Sequence, residues 1–220
     1  FPILPVIASL IVTCCGHIQK AELVRIQNQR ALANKYPGGN WMDRRSIVKE
    51  IVRYVGPDKN DLVIGTLTVA SADPHTSVRI ETMKALPAIR SAETLAILKK
   101  AAVSDPDGNV RWHALKSLRL LKNSSSADVY IRGLSSDDWL VREESILGIL
   151  DLDESAIKPR LIPAVIRALN DPRSSVVLAT LHNLSVRDDR LYRAITGILF
   201  SCSDFDYSRL EASLTALEGY

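Results

Sequence analysis

Apolar residues along the chain recur at helical spacing, in blocks that return at a nearly constant interval. In Asp105-Pro106-Asp107-Gly108-Asn109-Val110-Arg111-Trp112-His113-Ala114-Leu115-Lys116-Ser117-Leu118, the residues Val110, Ala114 and Leu118 stand at i, i+4 and i+8. That spacing is one face of a helix. Asp105-Pro106 ends the helix before it, because proline has no amide hydrogen and biases the preceding residue toward extended backbone. The short polar turn then supplies side chains that cap the free amides of the next helix. The small residue in the middle of the face lets a partner helix come close.

The same skeleton appears as Asp73, Val78, Arg79, Thr82 and Leu86, and as Asp137, Asp138, Val141, Arg142, Ser145 and Ile149. It returns as Asp171, Val176, Thr180 and Leu184, and faintly as Asp204, Arg209, Ser213 and Leu217. Equivalent positions 78, 110, 141, 176 and 209 are 32, 31, 35 and 33 residues apart. A period of this size marks a repeat array. A second helical run lies between these helices in each unit, such as residues 92–103. Neither helix buries its apolar stripe alone, so units must stack on their neighbours. The pattern therefore predicts an all-α fold, an α-solenoid of stacked antiparallel helix pairs.

The stretches LKKAAVSDPDGNVRWHALKSLRLL and LIPAVIRALNDPRSSVVLATLHNL resemble the HEAT-repeat family, in the short form also found in phycobilisome lyases. The likeness covers about residues 41–220. It implies a polar ladder between repeats, formed by the Asp and the Arg six residues later. Asp73 with Arg79 and Asp105 with Arg111 keep that spacing, and Arg142 holds the Arg position of the next unit. Val177 replaces the Arg one unit further on, which predicts an interruption there. The likeness also implies that second helices line a concave surface. They carry Lys99, Lys100, Arg132, Arg160, Arg167, Arg190 and Arg193 as candidate partner-binding residues, with Trp139 and Tyr192 as candidate anchors.

Residues 1–16 contain no charge, and Pro2 and Pro5 interrupt them. They read as the remnant of an export signal. Ile11-Val12-Thr13-Cys14 resembles the lipobox of bacterial lipoproteins, which implies a lipid on Cys14, or on Cys15 as the alternative. A plain signal peptide or a buried apolar helix remains open. Residues 17–40 read as a polar, basic tether or as a capping helix, ending at the break Tyr36-Pro37-Gly38-Gly39-Asn40. Residues 41–220 then hold about five and a half repeats. A first repeat with a decayed signature begins with a helix from Asn40 to about Val55, and the last helix lacks its partner. The chain reads as continuing beyond both ends.

Composition fits a folded protein, with 46% apolar and 24% charged residues. Charge is uneven. Residues 17–56 hold eight Lys/Arg and three acids, a net of +5, whereas 57–220 hold 20 and 22, a net of −2. The basic stretch suits attraction to anionic head groups beside an anchor. A net acidic array argues against nucleic acid as the partner. The four histidines show no metal-ligand spacing, and three cysteines make no disulfide framework. No cofactor and no catalytic constellation is expected. Cys202 reads as a packing residue, and Arg119 as a solvated one.

These features predict a non-enzymatic scaffold that binds another protein through a curved surface. It is expected to be monomeric and lipid-anchored on an extracytoplasmic face of a bacterial envelope. The alternatives are a phycobilin-lyase-like or other HEAT-like enzyme, and a soluble secreted or cytoplasmic location.

Overall fold

The computed structural model describes residues 3–58, 60–152, 161–185, 188–201 and 207–218, and it describes side chains from residue 19 onward, Tyr207 excepted. Its regular structure among these residues is helical throughout. The expected fold class is the observed one. The chain divides into two compact units, Phe1–Ile89 and Arg90–Tyr220.

The first unit contains α1 (Ile3–Lys35), α2 (Trp41–Ile51), α3 (Asp61–Ala70) and α4 (Thr76–Ala85). Helix α2 packs on α4, and α1 packs on α3, which gives two layers. Helix α1 runs unbroken across positions 16 and 17. Its second half is fastened to the first repeat. Arg25 donates to the Tyr54 carbonyl at 3.1 Å and Gln29 to the same oxygen at 2.7 Å. Among the described residues, no helix is long and apolar enough to cross a membrane.

Pro37 closes α1 through the tight turn Tyr36–Gly38. Asn40 then starts α2 with a capping box: its side chain accepts from the Asp43 amide while Asp43 returns a bond to the Asn40 amide. Ile47, Val48 and Ile51 fill the core as the spacing predicts. The helix stops at Ile51 rather than Val55, because residues Val52–Tyr54 wind into a 3-10 turn. Val52 and Val55 are consequently only half-buried.

The second unit contains α5 (Ala92–Ser104), α6 (Gly108–Leu121), α7 (Ala127–Gly133) and α8 (Trp139–Leu150), followed by α9 (Ile162–Leu169), α10 (Ser174–Asn183), α11 (Asp189–Ser201) and α12 (Tyr207–Glu218). One layer runs α6, α8, α10, α12, each on the next; α5 packs on α7 and α9 on α11 in the other. Pro163 sits in the first turn of α9, where its missing amide costs nothing.

The small mid-helix residues meet their expectation. Thr82, Ala114, Ser145 and Thr180 are all fully buried. The hydroxyls of Thr82, Ser145 and Thr180 turn back to the carbonyl four residues earlier, so no buried donor is wasted. Close approach is visible at Gly133 of α7, where a β-carbon would collide with the Ser145 side chain of α8.

Candidate partner-binding surface

One register links the turns that open α2, α4, α6, α8 and α10. Their cap residues are Asn40, His75, Asp107, Asp138 and Arg173. Four residues after the cap stand Arg44, Arg79, Arg111, Arg142 and then Val177. These arginines reach back over their own turn. Arg79 donates to the Asp73 and Pro74 carbonyls at 2.9 and 3.4 Å, Arg111 to Asp105 and Pro106 at 2.8 and 3.2 Å, and Arg142 to Ser136 and Asp137 at 2.9 and 3.1 Å. Arg44 takes the Gly39 carbonyl at 2.8 Å.

The ladder therefore differs from a pairing of side chains six residues apart. Arg79 and Arg111 bind the backbone of Asp73 and Asp105, not their carboxylates. A rung joins an arginine to the aspartate of the following repeat. Arg142 donates through Nε and Nη2 to the two oxygens of Asp171, at 2.7 and 3.0 Å. Arg44 does the same to Asp73, at 2.6 and 2.9 Å. Arg44 escapes a reading keyed to Asp/Val/Arg, since the first repeat lacks the Asp; its distance from the Asn40 cap identifies it. Val177 breaks the series only after Asp171 has been used, and it lies in the core.

Asp73 is the best-supplied of these carboxylates. It also accepts from the Tyr36 hydroxyl at 2.7 Å and the His75 amide at 2.9 Å. Burial alone would raise its pKa, but Arg44, the His75 amide and Tyr36 together bring it down to about 2. Tyr36 is pushed up, first by burial and then by its bond to that carboxylate. The His75 ring lies parallel to Trp41 at 4.1 Å and caps α4 through Nδ1.

Arg119 is not a solvated residue. It pairs with Glu144 and Asp151, both at 3.2 Å, and only 7% of the Glu144 side chain is exposed. Burial raises the Glu144 pKa against the opposing pull of Arg119 and Lys116. The cluster ties α6 to α8, and the fully buried Tyr130 packs against Gly148 beside it.

The basic candidates separate into three groups. Lys99 is engaged, donating to the Ser125 carbonyl and hydroxyl at 2.8 and 2.7 Å. Arg190 pairs with Asp188, and Arg193 donates to the Asp189 carbonyl at 3.2 Å. Lys100, Arg132 and Arg167 are exposed, Arg167 touching Ser135 through its hydroxyl at 2.9 Å. Arg160, like Cys202, lies outside the described residues, and Cys14 and Cys15 lie where side chains are not described. Trp139 lies under the Arg173 guanidinium at 4.8 Å, while Tyr192 is half exposed.

Two open clefts flank the turn Ser135-Ser136-Asp137 in the second unit. One, of about 340 Å³, is lined by Arg111, Arg132, Gly133 and the turn. The other, of about 440 Å³, adds Arg142, Arg167, Asn170 and Asp171 to the same turn. Among the described residues, no group of three or more His, Cys, Asp or Glu is placed to hold a metal.

Layered helix pairs joined by inter-repeat rungs define an α-helical repeat protein. The HEAT-repeat family model matches residues 30–119, 63–149 and 99–185, and the chain belongs to that family. No curated protein matches it in sequence. Among solved structures it is similar to YibA of Escherichia coli, with 19% identity over 88% of this chain and 69% of that one, at a TM-score of 0.60. It is also similar to a designed armadillo repeat protein in complex with the peptide (KR)4, with 14% identity over 85% and 98% of the two chains and a TM-score of 0.56. Identities this low establish the fold alone.

Proposed function

We propose that this protein is a non-enzymatic scaffold that binds an extended segment of another protein along its inter-repeat turns. The observation that carries the proposal is the row of open clefts at Ser135–Asp137 and Asn170–Pro172, held in place by arginines fixed to the backbone on either side. Pre-set side chains bind at little ordering cost. The designed armadillo neighbour holds a peptide, which makes peptide capture a reasonable use of the fold. Display selection of random peptides against the purified chain tests the proposal. Recovery of segments that compete with one another for one surface supports it, and failure to enrich any segment contradicts it.

We further propose that the protein works as a monomer on an extracytoplasmic face of a bacterial envelope, anchored by lipid on Cys14 or Cys15. The uncharged run before Cys14, followed by the basic stretch 17–56, supports this order of anchor and array. One acyl chain binds a membrane only marginally, so several chains or an added basic patch are needed. Cys14→Ser with Cys15→Ser, made in the chain with its native leader, is expected to release the protein into the soluble envelope fraction. An unmodified native protein in the aqueous phase of a detergent extraction contradicts the anchor.

A further inference from the structure

The ladder has a vacant rung. Arg111 is held like Arg142, with Nη1 on the two carbonyls of its own turn. Arg142 spends its remaining edge on Asp171, which stands two residues before the next cap. The residue two before the cap Asp138 is Ser136. Its hydroxyl accepts from the Asp138 amide at 3.2 Å, as Asp171 accepts from the Arg173 amide at 2.8 Å. Ser136 therefore preserves the turn but brings no carboxylate. Among the described residues, no carboxylate pairs with Arg111 or with the exposed Arg132, and both line the 340 Å³ cleft beside Ser136.

We propose that this cleft receives a glutamate or aspartate side chain from an extended acidic segment of the partner, completing the rung that Ser136 leaves open. The inference rests on the scaffold function above and gives the partner its chemistry. A guanidinium edge matches the two oxygens of a carboxylate, and such charge-assisted pairs are the stronger hydrogen bonds. Asp137 on the rim and the Asp138 carboxylate, which lies with Arg111 Nη2 beside Gly108, offset the charges of Arg111 and Arg132, so the pull on a carboxylate comes from the open guanidinium edge and from Arg167 next door. The neighbouring cleft shares Ser135, Ser136 and Asp137 and offers Arg167. Packed helices lie about 9 Å apart, and an extended chain in the polyproline-II form rises about 3.1 Å per residue with about three residues per turn, so residues three apart share one face. Acidic residues about three apart in one segment therefore reach both clefts. That geometry selects a peptide over a free anion.

The test uses a fluorescent peptide with glutamate at every third position, its glutamine and lysine counterparts, and inorganic phosphate as a competitor. The glutamate peptide is expected to bind the full chain, and the glutamine and lysine peptides are not. Ser136→Asp supplies the missing rung internally, so it should raise Tm and weaken the glutamate peptide at least about tenfold. Arg132→Gln should weaken binding while leaving Tm unchanged. Equal affinity for wild type and Ser136→Asp would overturn the inference yet leave a scaffold that binds acidic segments elsewhere. Phosphate binding as tightly as the peptide would overturn it in favour of a simple ion site. Failure of the glutamate peptide alongside a display-selected segment that binds would overturn it and spare the scaffold function. Failure of every peptide would remove both.

Discussion

Four donors converge on Asp73: two from Arg44, one from Tyr36 and one from the His75 amide. Its folded pKa, near 2, lies below the ordinary 3.8. The contribution to stability is thus complete above pH 3.8 and is lost as pH falls toward 2, about 2 kcal/mol in all. Asp73→Asn should lower Tm at neutral pH and flatten the acid limb of the Tm profile below pH 3.8. An unchanged acid limb would mean that Asp73 is not held this way. Glu144 behaves with the opposite sign. Its folded pKa is raised by burial, so the folded state favours the protonated acid and stability falls as pH rises above the ordinary 4.5. Removing Arg119 raises that pKa further. Arg119→Ala should therefore cost more than Arg111→Ala, with a deficit that grows with pH, as thermal melts of the two variants will show. The sequence suggests the reverse order. Position on the exposed side of the α6 stripe makes Arg119 look solvated, and only the fold brings Glu144 and Asp151 beneath it.

Helix ends carry much of the local specification, and most were legible. Asn40, Asp107 and Asp138 are caps of the expected kind, and Pro163 falls in a first turn. The early end of α2 was not, because Val52-Arg53-Tyr54 continues the apolar spacing while winding into a 3-10 turn. The rungs were only half legible. They join residues 29 apart, so the six-residue spacing within one turn names the participants and misassigns the partners. Counting four residues from each cap would have found Arg44 and the break at Val177. One helix end is under strain. Lys122 closes α6 with φ 48°, in the left-handed region that glycine occupies without penalty. Lys122→Gly should raise stability by about 1 kcal/mol in a denaturant titration. A loss of stability would mean that the lysine side chain contributes more than its backbone costs. Gly133→Ala, by contrast, should destabilise the protein by about 1–3 kcal/mol, since Ser145 occupies the space a methyl group needs.

At the scale of the whole molecule, the repeat interval was readable because most units solve the same problem with residues of the same kind. Each turn needs a cap, a brake and an apolar face, and these are local requirements written in adjacent positions. The clefts are a different matter, since their walls come from two turns about 30 residues apart and depend on one serine among the aspartates. Binding at these turns should leave the helical frame undisturbed, because Arg111 and Arg142 are already tied to backbone carbonyls. Hydrogen exchange read by mass spectrometry, with and without a display-selected segment, tests this most directly. The expected result is slower exchange confined to the turns around residues 132–138 and 167–173, with unchanged exchange along α6, α8 and α10. Protection absent from both turns, or exchange altered along the helices instead, would contradict a rigid repeat frame that binds its partner at the turns between repeats.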